Sequence, residues 1–177
     1  MMEVIGADVD AGKIKIVGES FSDGWKPENA QKNMEQILTA NDNNVDAVLS
    51  ENDGMAGGVV AALSAQGLVI PVGGQDGDLA AINRVARGTQ TVSVWKDARD
   101  LGKAAGEIAS ALAAGTSMDA IEGATKFTGG EKGIAINAIL LDPTPLTRDN
   151  LSVAINGGHI TKEQACAGAL PGVDGCN

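Results

Sequence analysis

The chain has one histidine, His159, and only two cysteines, Cys166 and Cys176. That supply excludes a multi-ligand zinc site and the usual histidine-centred triads. Tyrosine is absent, and the aromatics amount to 2%: Phe21, Trp25, Trp95 and Phe127. The core must therefore be built from Ala, Val, Ile and Leu. Positive charge is scarce, with 13 Lys and Arg against 23 Asp and Glu for a net charge of -10. Such a surface repels a phosphate backbone, which removes nucleic acid as a partner. No run of ~18 uninterrupted apolar residues occurs, so no membrane-spanning helix is expected. Met1-Met2-Glu3 shows neither a basic n-region nor an apolar h-region, and as written the chain reads as having no signal peptide.

What remains is a chain of 177 residues, 44% hydrophobic and 20% charged. That size and balance predict one lobe over residues 1–177, divided into a βα core over 10–133 and a strand and tail over 134–177. The 24 glycines follow no fixed period, which suits many short turns between close-packed layers.

Hydrophobic periodicity predicts alternating strands and helices. Strands are expected at Lys13–Gly18, Val45–Leu49, Val69–Gly73 and Thr91–Trp95. Pro27 opens a helix with Ala30, Met34, Ile37 and Leu38 on one face. Asp53 is expected to cap a helix carrying Ala56, Val60 and Leu63, and Asp76 or Asp78 one carrying Leu79, Ile82 and Val85. Asp97 is expected to cap the longest helix, with Leu101, Ala105, Ile108 and Leu112 inward. Ile134–Leu141 reads as a strand broken by Asp142-Pro143-Thr144-Pro145, Leu151–Ile155 as another strand, and Thr161–Ala167 as a short helix. Four strand-helix alternations with short apolar strands predict an α/β fold, a doubly wound, Rossmann-like parallel sheet.

In such a sheet ligands bind beyond the carboxyl ends of the strands. The residues expected there are Trp25 after the first strand, Glu51 and Asn52 after the second, Gln75 and Asp76 after the third, and Lys96 after the fourth. Carboxylates and amides can share hydroxyl protons while an indole covers the C–H face of a ring, so this mixture suits a neutral polyol. Each residue also has a plainer reading: Trp25 as a staple on the Pro27 helix, Asn52 as a turn residue, Asp76 as an N-cap and Lys96 as a solvated cation. Lys96 sits just before a helix start, where an acidic partner such as Asp76 would offset the dipole. In the Gly/Pro-rich tail Cys166 and Cys176 are expected to close a small disulfide loop, with two unpaired thiols as the alternative. The glycine-rich runs at 73–77 and 129–133 lack a nucleotide fingerprint and read as turns. Asp8-Val9-Asp10 lacks the rest of a calcium loop, and His159 reads as a surface turn residue.

Five segments, GKIKIVG at 12–18, DGWKPENA at 23–30, SAQGL at 64–68, GQDGDLAAI at 74–82 and GTQT at 88–91, together resemble the periplasmic sugar-binding proteins of ABC importers. The resemblance is dense from Asp10 to Lys96. It implies a type I periplasmic binding protein with two Rossmann-like lobes joined by a three-stranded hinge, of which this chain matches the carboxyl-terminal lobe. It further implies a pentose ligand, D-xylose, stacked on Trp25 and hydrogen-bonded by Asn52, Asp76 and Lys96, with Glu51 and Gln75 as secondary contacts. LLDPTP at 140–145 resembles the last hinge crossing. The implied partners are an ABC permease, the absent amino-terminal lobe and a second copy of the chain, and the implied compartment is the periplasm. No catalytic residue and no cofactor are expected. Alternatives are an enzyme fragment using Glu51 and Asp76 as an acid–base pair, or the effector-binding lobe of a sugar-responsive regulator.

Overall fold

A computed structural model describes residues 2–177. The described chain divides into two compact bodies: residues up to Val94 together with Pro145–Asn177, and Trp95–Thr144. The sequence reading divides the chain instead at 133/134.

The first body contains α1 (Met2–Asp10), a 3-10 turn at Asp23–Trp25, α2 (Pro27–Ala40), β1 (Val48–Leu49), α3 (Asp53–Ala65), β2 (Val72–Asp76) and α4 (Leu79–Ala86). It also holds most of β3 (Val92–Trp95), and most of β6 (Thr144–Leu146), α6 (Ser152–Asn156) and α7 (Lys162–Cys166) on the returning segment. The second body contains α5 (Ala98–Ala113), a 3-10 turn at Met118–Ala120, and β4 (Thr125–Phe127) paired antiparallel with β5 (Ile136–Ala138). The main sheet has the order β1-β2-β3-β6, with β1 and β2 parallel and Val48 opposite Val72. The expected α/β architecture is therefore present.

The core of the first body is aliphatic, as the shortage of aromatics requires. Met34 and Leu38 from α2 meet Ala56, Val59, Ala62 and Leu63 from α3, with Val45 and Val72 closing the cluster. Pro27 supplies the preset φ at the start of α2. The two helices approach so closely that a Cβ on Gly58 would collide with the Pro27 carbonyl.

Several sequence expectations are corrected. Lys13–Gly18 forms no strand; Val17 packs on the core, but the Asn41 side chain donates to the Val17 carbonyl at 3.2 Å and takes an acceptor that a ladder would use. The third strand begins at Val72 rather than Val69. Pro71 cannot donate to a ladder, its carbonyl only accepts from Val48 N at 2.9 Å, and Val69 is exposed. The run at 73–77 is therefore mostly strand rather than turn. Leu151–Ile155 becomes the helix α6, because Asp174 Oδ2 accepts from Ser152 N at 2.9 Å while Leu151 and Ala154 turn inward together at helical spacing. The break at 142–145 contains the start of β6, and the strand expected at Ile134–Leu141 is only three residues long. Asp8 and Asp10 lie in the last turn of α1, an element the periodicity did not suggest. One expectation in this region holds: Cys166 and Cys176 form the expected disulfide, at a sequence separation of ten.

Helix α5 departs furthest. None of its residues is buried, and Leu101 and Leu112 are 48% and 45% exposed. The expected inward face exists in the sequence, but no element of its own body covers it.

Candidate functional site

Trp25 ends the 3-10 turn at Asp23–Trp25 with φ 59°, and its backbone N donates to Ser22 O at 3.0 Å. Two asparagines of α2 tether this turn. Asn29 Nδ2 donates to Asp23 O at 2.9 Å, and Asn33 Nδ2 to Phe21 O at 3.2 Å. The backbone is fixed while the indole is 60% exposed. At that exposure Trp25 is not a fully covered staple on α2. A tethered, uncovered indole is a platform for an apolar ring face.

Asn52, rather than Asp53, is the N-cap of α3, its Oδ1 accepting from Met55 N at 2.9 Å. The cap occupies the side-chain oxygen and leaves the amide N–H2 as the group with which Asn52 can address a ligand. Glu51 is exposed in the bend before it.

Asp53 is fully buried. Its Oδ2 accepts from Gly77 N and Asp78 N at 2.9 Å each and from Ser93 Oγ at 2.5 Å, and its Oδ1 accepts from Gln90 Nε2 at 2.8 Å. Arg84 braces the same cluster, donating through Nη2 to Asp53 O at 2.7 Å and through Nε to Gln90 Oε1 at 2.9 Å. A Cβ on Gly74 would run into Asp53 Oδ1, so this glycine in β2 makes room for a buried carboxylate. Sequence reasoning missed Asp53, Arg84, Gln90, Ser93 and the role of Gly74. One signal was available: of two consecutive cap-forming residues, Asn52 and Asp53, only one can cap.

Asp76 is the last residue of β2 and has φ 109°, a conformation rarely adopted by an L residue and characteristic of constrained sites. It is not an N-cap. Gln75 precedes it within the strand, half-buried. Asp78 stands at the N-cap position of α4 without a side-chain capping bond. Although Asp78 is exposed as a residue, partial desolvation of its carboxyl, followed by the neighbouring Asp53 and Asp76 charges, raises it above the usual range against the opposing pull of Arg84 and His159. Burial likewise lowers the Arg84 guanidinium, opposed by Asp53 and Asp78. His159 is half-buried rather than a free turn residue: its Nε2 lies 2.7 Å from Gly77 O. Because a carbonyl can only accept, the Nε2–H donates.

These contacts bring three of the four main candidates to one end of the first body. β1 and β2 run parallel, so Asn52 and Asp76 follow and end strands at the same sheet edge, and Asp53 ties the two turns together. Trp25 precedes Pro27, whose ring and carbonyl lie beside Gly54 and Gly58 in the first turns of α3. Lys96 belongs to the second body. It is exposed, directly follows β3, and lines a cleft of about 140 Å3 with Trp95, Asp97, Leu101, Leu141 and Asp142. Asp97 caps α5 as expected, accepting from Arg99 N at 2.9 Å, and also holds the Arg99 guanidinium.

The chain is similar in sequence and fold to known proteins. The family profile of the periplasmic binding protein domain matches residues 1–117. The D-xylose-binding periplasmic protein of Escherichia coli (strain K12) is 45% identical over 166 residues, spanning 92% of this chain and 49% of that protein. Its counterpart in Haemophilus influenzae is 43% identical over 165 residues, with 92% and 48% covered. Among solved structures, an ABC transporter solute binding protein from Clostridium phytofermentans with bound beta-D-glucose is similar with a TM-score of 0.77 at 28% identity, covering 93% of this chain and 53% of that one. The chain spans about half the length of the curated relatives it matches.

Proposed function

The chain belongs to the periplasmic binding protein domain family, and we propose that it is the carboxyl-terminal part of a non-enzymatic, D-xylose-recognising receptor that serves an ABC importer. The single observation that carries this reading is the pairing of a tethered, exposed Trp25 with a backbone-constrained Asp76 at the Asn52 end of one body. The indole stacks on the C–H face of a pyranose, the Asn52 amide donates to a hydroxyl, and the Asp76 carboxylate accepts from one or two more. The family resemblance adds Lys96 as a further donor to a ring or hydroxyl oxygen. Glu51 and Gln75 are secondary contacts.

Half of a receptor offers one wall of a pocket. Without the opposing wall, water reaches every hydrogen bond and the affinity is weak. The uncovered apolar faces of the second body, Leu101 and Leu112 of α5 with Phe127 and Ile136 of the hairpin, are where the other half of the receptor packs. In a sample of the isolated chain a second copy takes that place, visible as a dimer by light scattering. The disulfide agrees with an oxidising compartment such as the periplasm.

Saturation-transfer NMR with D-xylose, D-glucose and NAD as separate probes tests the reading. D-xylose is expected to show transfer that disappears in Trp25→Ala. Transfer to NAD without any sugar signal, or hydrolysis of a xyloside by the chain, would overturn it.

A further inference from the structure

Gly77, next to Asp76, is held at both of its backbone polar groups by side chains distant in sequence. Its N–H donates to Asp53 Oδ2 at 2.9 Å and also lies 3.0 Å from Ser93 Oγ, while its carbonyl accepts from His159 Nε2 at 2.7 Å. The Asp78 N–H adds a second bond to Asp53 Oδ2 at 2.9 Å. These bonds fix two successive peptide planes. The plane between Asp76 and Gly77 is pinned by its N–H, and the plane between Gly77 and Asp78 by both its carbonyl and its N–H. The first of these planes sets ψ of Asp76, a residue whose φ of 109° persists only where neighbours over-determine it.

We infer that Asp53 and His159 are positioning residues for sugar recognition: they touch no sugar, and they aim Asp76 by clamping the peptide planes that follow it. The inference rests on the proposed role of Asp76 as a sugar contact. It also gives the carboxyl-terminal segment a task. His159 N donates to Ala154 O at 3.0 Å at the end of α6. The residues beyond it are anchored by the Cys166–Cys176 disulfide and by Asn83 Nδ2, which faces the carbonyls of Gln164, Ala165 and Ala167 at 2.9 to 3.2 Å. Leu170 N donates to Ala86 O at 3.0 Å. The segment is thus bound along α4 and presents the imidazole to the turn from a stiff abutment.

The intact chain tests this through His159→Leu and His159→Gln, the latter restoring an N–H donor at similar reach. Three quantities are measured for each: D-xylose affinity by NMR titration, hydrogen exchange at the Gly77 and Asp78 amides, and the denaturation midpoint. His159→Leu is expected to accelerate exchange at both amides and weaken D-xylose binding by up to about tenfold, the scale of one lost hydrogen bond. The midpoint should stay near that of the native chain, and His159→Gln should recover both losses. Unchanged affinity in His159→Leu, or a glutamine variant as impaired as the leucine one, overturns the inference. If the native chain binds no D-xylose, the proposed function fails and exchange alone decides: acceleration confined to Gly77 and Asp78 supports the clamp, and native exchange there overturns it.

Discussion

Helices α2 and α5 carry the same kind of amphipathic pattern and meet opposite fates. In the first body α2 buries Ala30, Met34 and Leu38 against α3; in the second α5 buries none of its 16 residues. Periodicity reports a face that is stable only when covered. It does not report whether the covering surface lies in the same chain. The contrast extends to polar groups, since the first body encloses a fully bonded carboxylate at Asp53, whereas the Arg99–Asp97 and Lys126–Asp119 pairs of the second body lie on exposed side chains at one or both ends.

The largest effect that would sharpen this contrast is expected at Asp53. Asp53→Ala strands two backbone N–H groups, Ser93 and Gln90 in the interior and should cost on the order of 3 to 5 kcal/mol by chemical denaturation; a loss comparable to a surface mutation would show that the cluster is not enclosed. Next comes a matched pair of truncations. Leu38→Ala should cost about 2 to 5 kcal/mol, and Leu112→Ala less than about 0.5 kcal/mol in the isolated chain. Equal losses would erase the distinction between the bodies. Replacing both Cys166 and Cys176 by Ser should lower stability by about 2 to 3 kcal/mol, from the restored entropy of the unfolded loop.

The smallest effect concerns Asp78. Its folded carboxyl is raised above the unfolded value of 3.8, so the folded state holds the proton more tightly, and stability falls as pH rises through the interval above 3.8. Asp78→Asn removes that loss while keeping a residue suited to the α4 N-cap. It should be slightly more stable than the native chain at pH 7, with the advantage vanishing below pH 3.8. An advantage that persists or grows in acid would contradict the stated cause.

How much was legible in the sequence differs residue by residue. The starts of α2 and α3 were readable to within one residue, because Pro27 and the Asn52-Asp53 pair announce them locally. Val92–Trp95 was readable because its strand is short, β-branched and bounded by turn residues. The carboxyl-edge rule located Asn52 and Asp76 beyond parallel neighbouring strands, whereas Trp25 was chosen as the sequel to a strand at Lys13–Gly18 that does not form, and it reaches the same end through Pro27 beside α3. The spare cap residue in Asn52-Asp53 was the one sign that Asp53 has another task; what that task is was not readable, since it depends on Gln90 and Ser93, 37 and 40 positions away. Nor was His159, whose carbonyl partner lies 82 positions upstream. Leu151–Ile155 was too short for apolar content to separate strand from helix, and the long-range bond from Asp174 decided it. The exposure of α5 could not be read at all, because the pattern is silent about what covers it.

The most direct test of the half-site is a D-xylose titration of the 15N-labelled intact chain. Shifts at the Trp25 indole, the Asn52 side-chain amide and the backbone from Asp76 to Asp78, saturating on the order of millimolar sugar, are the predicted result. Micromolar binding by a monomer, or saturable shifts that bypass those residues, would contradict it.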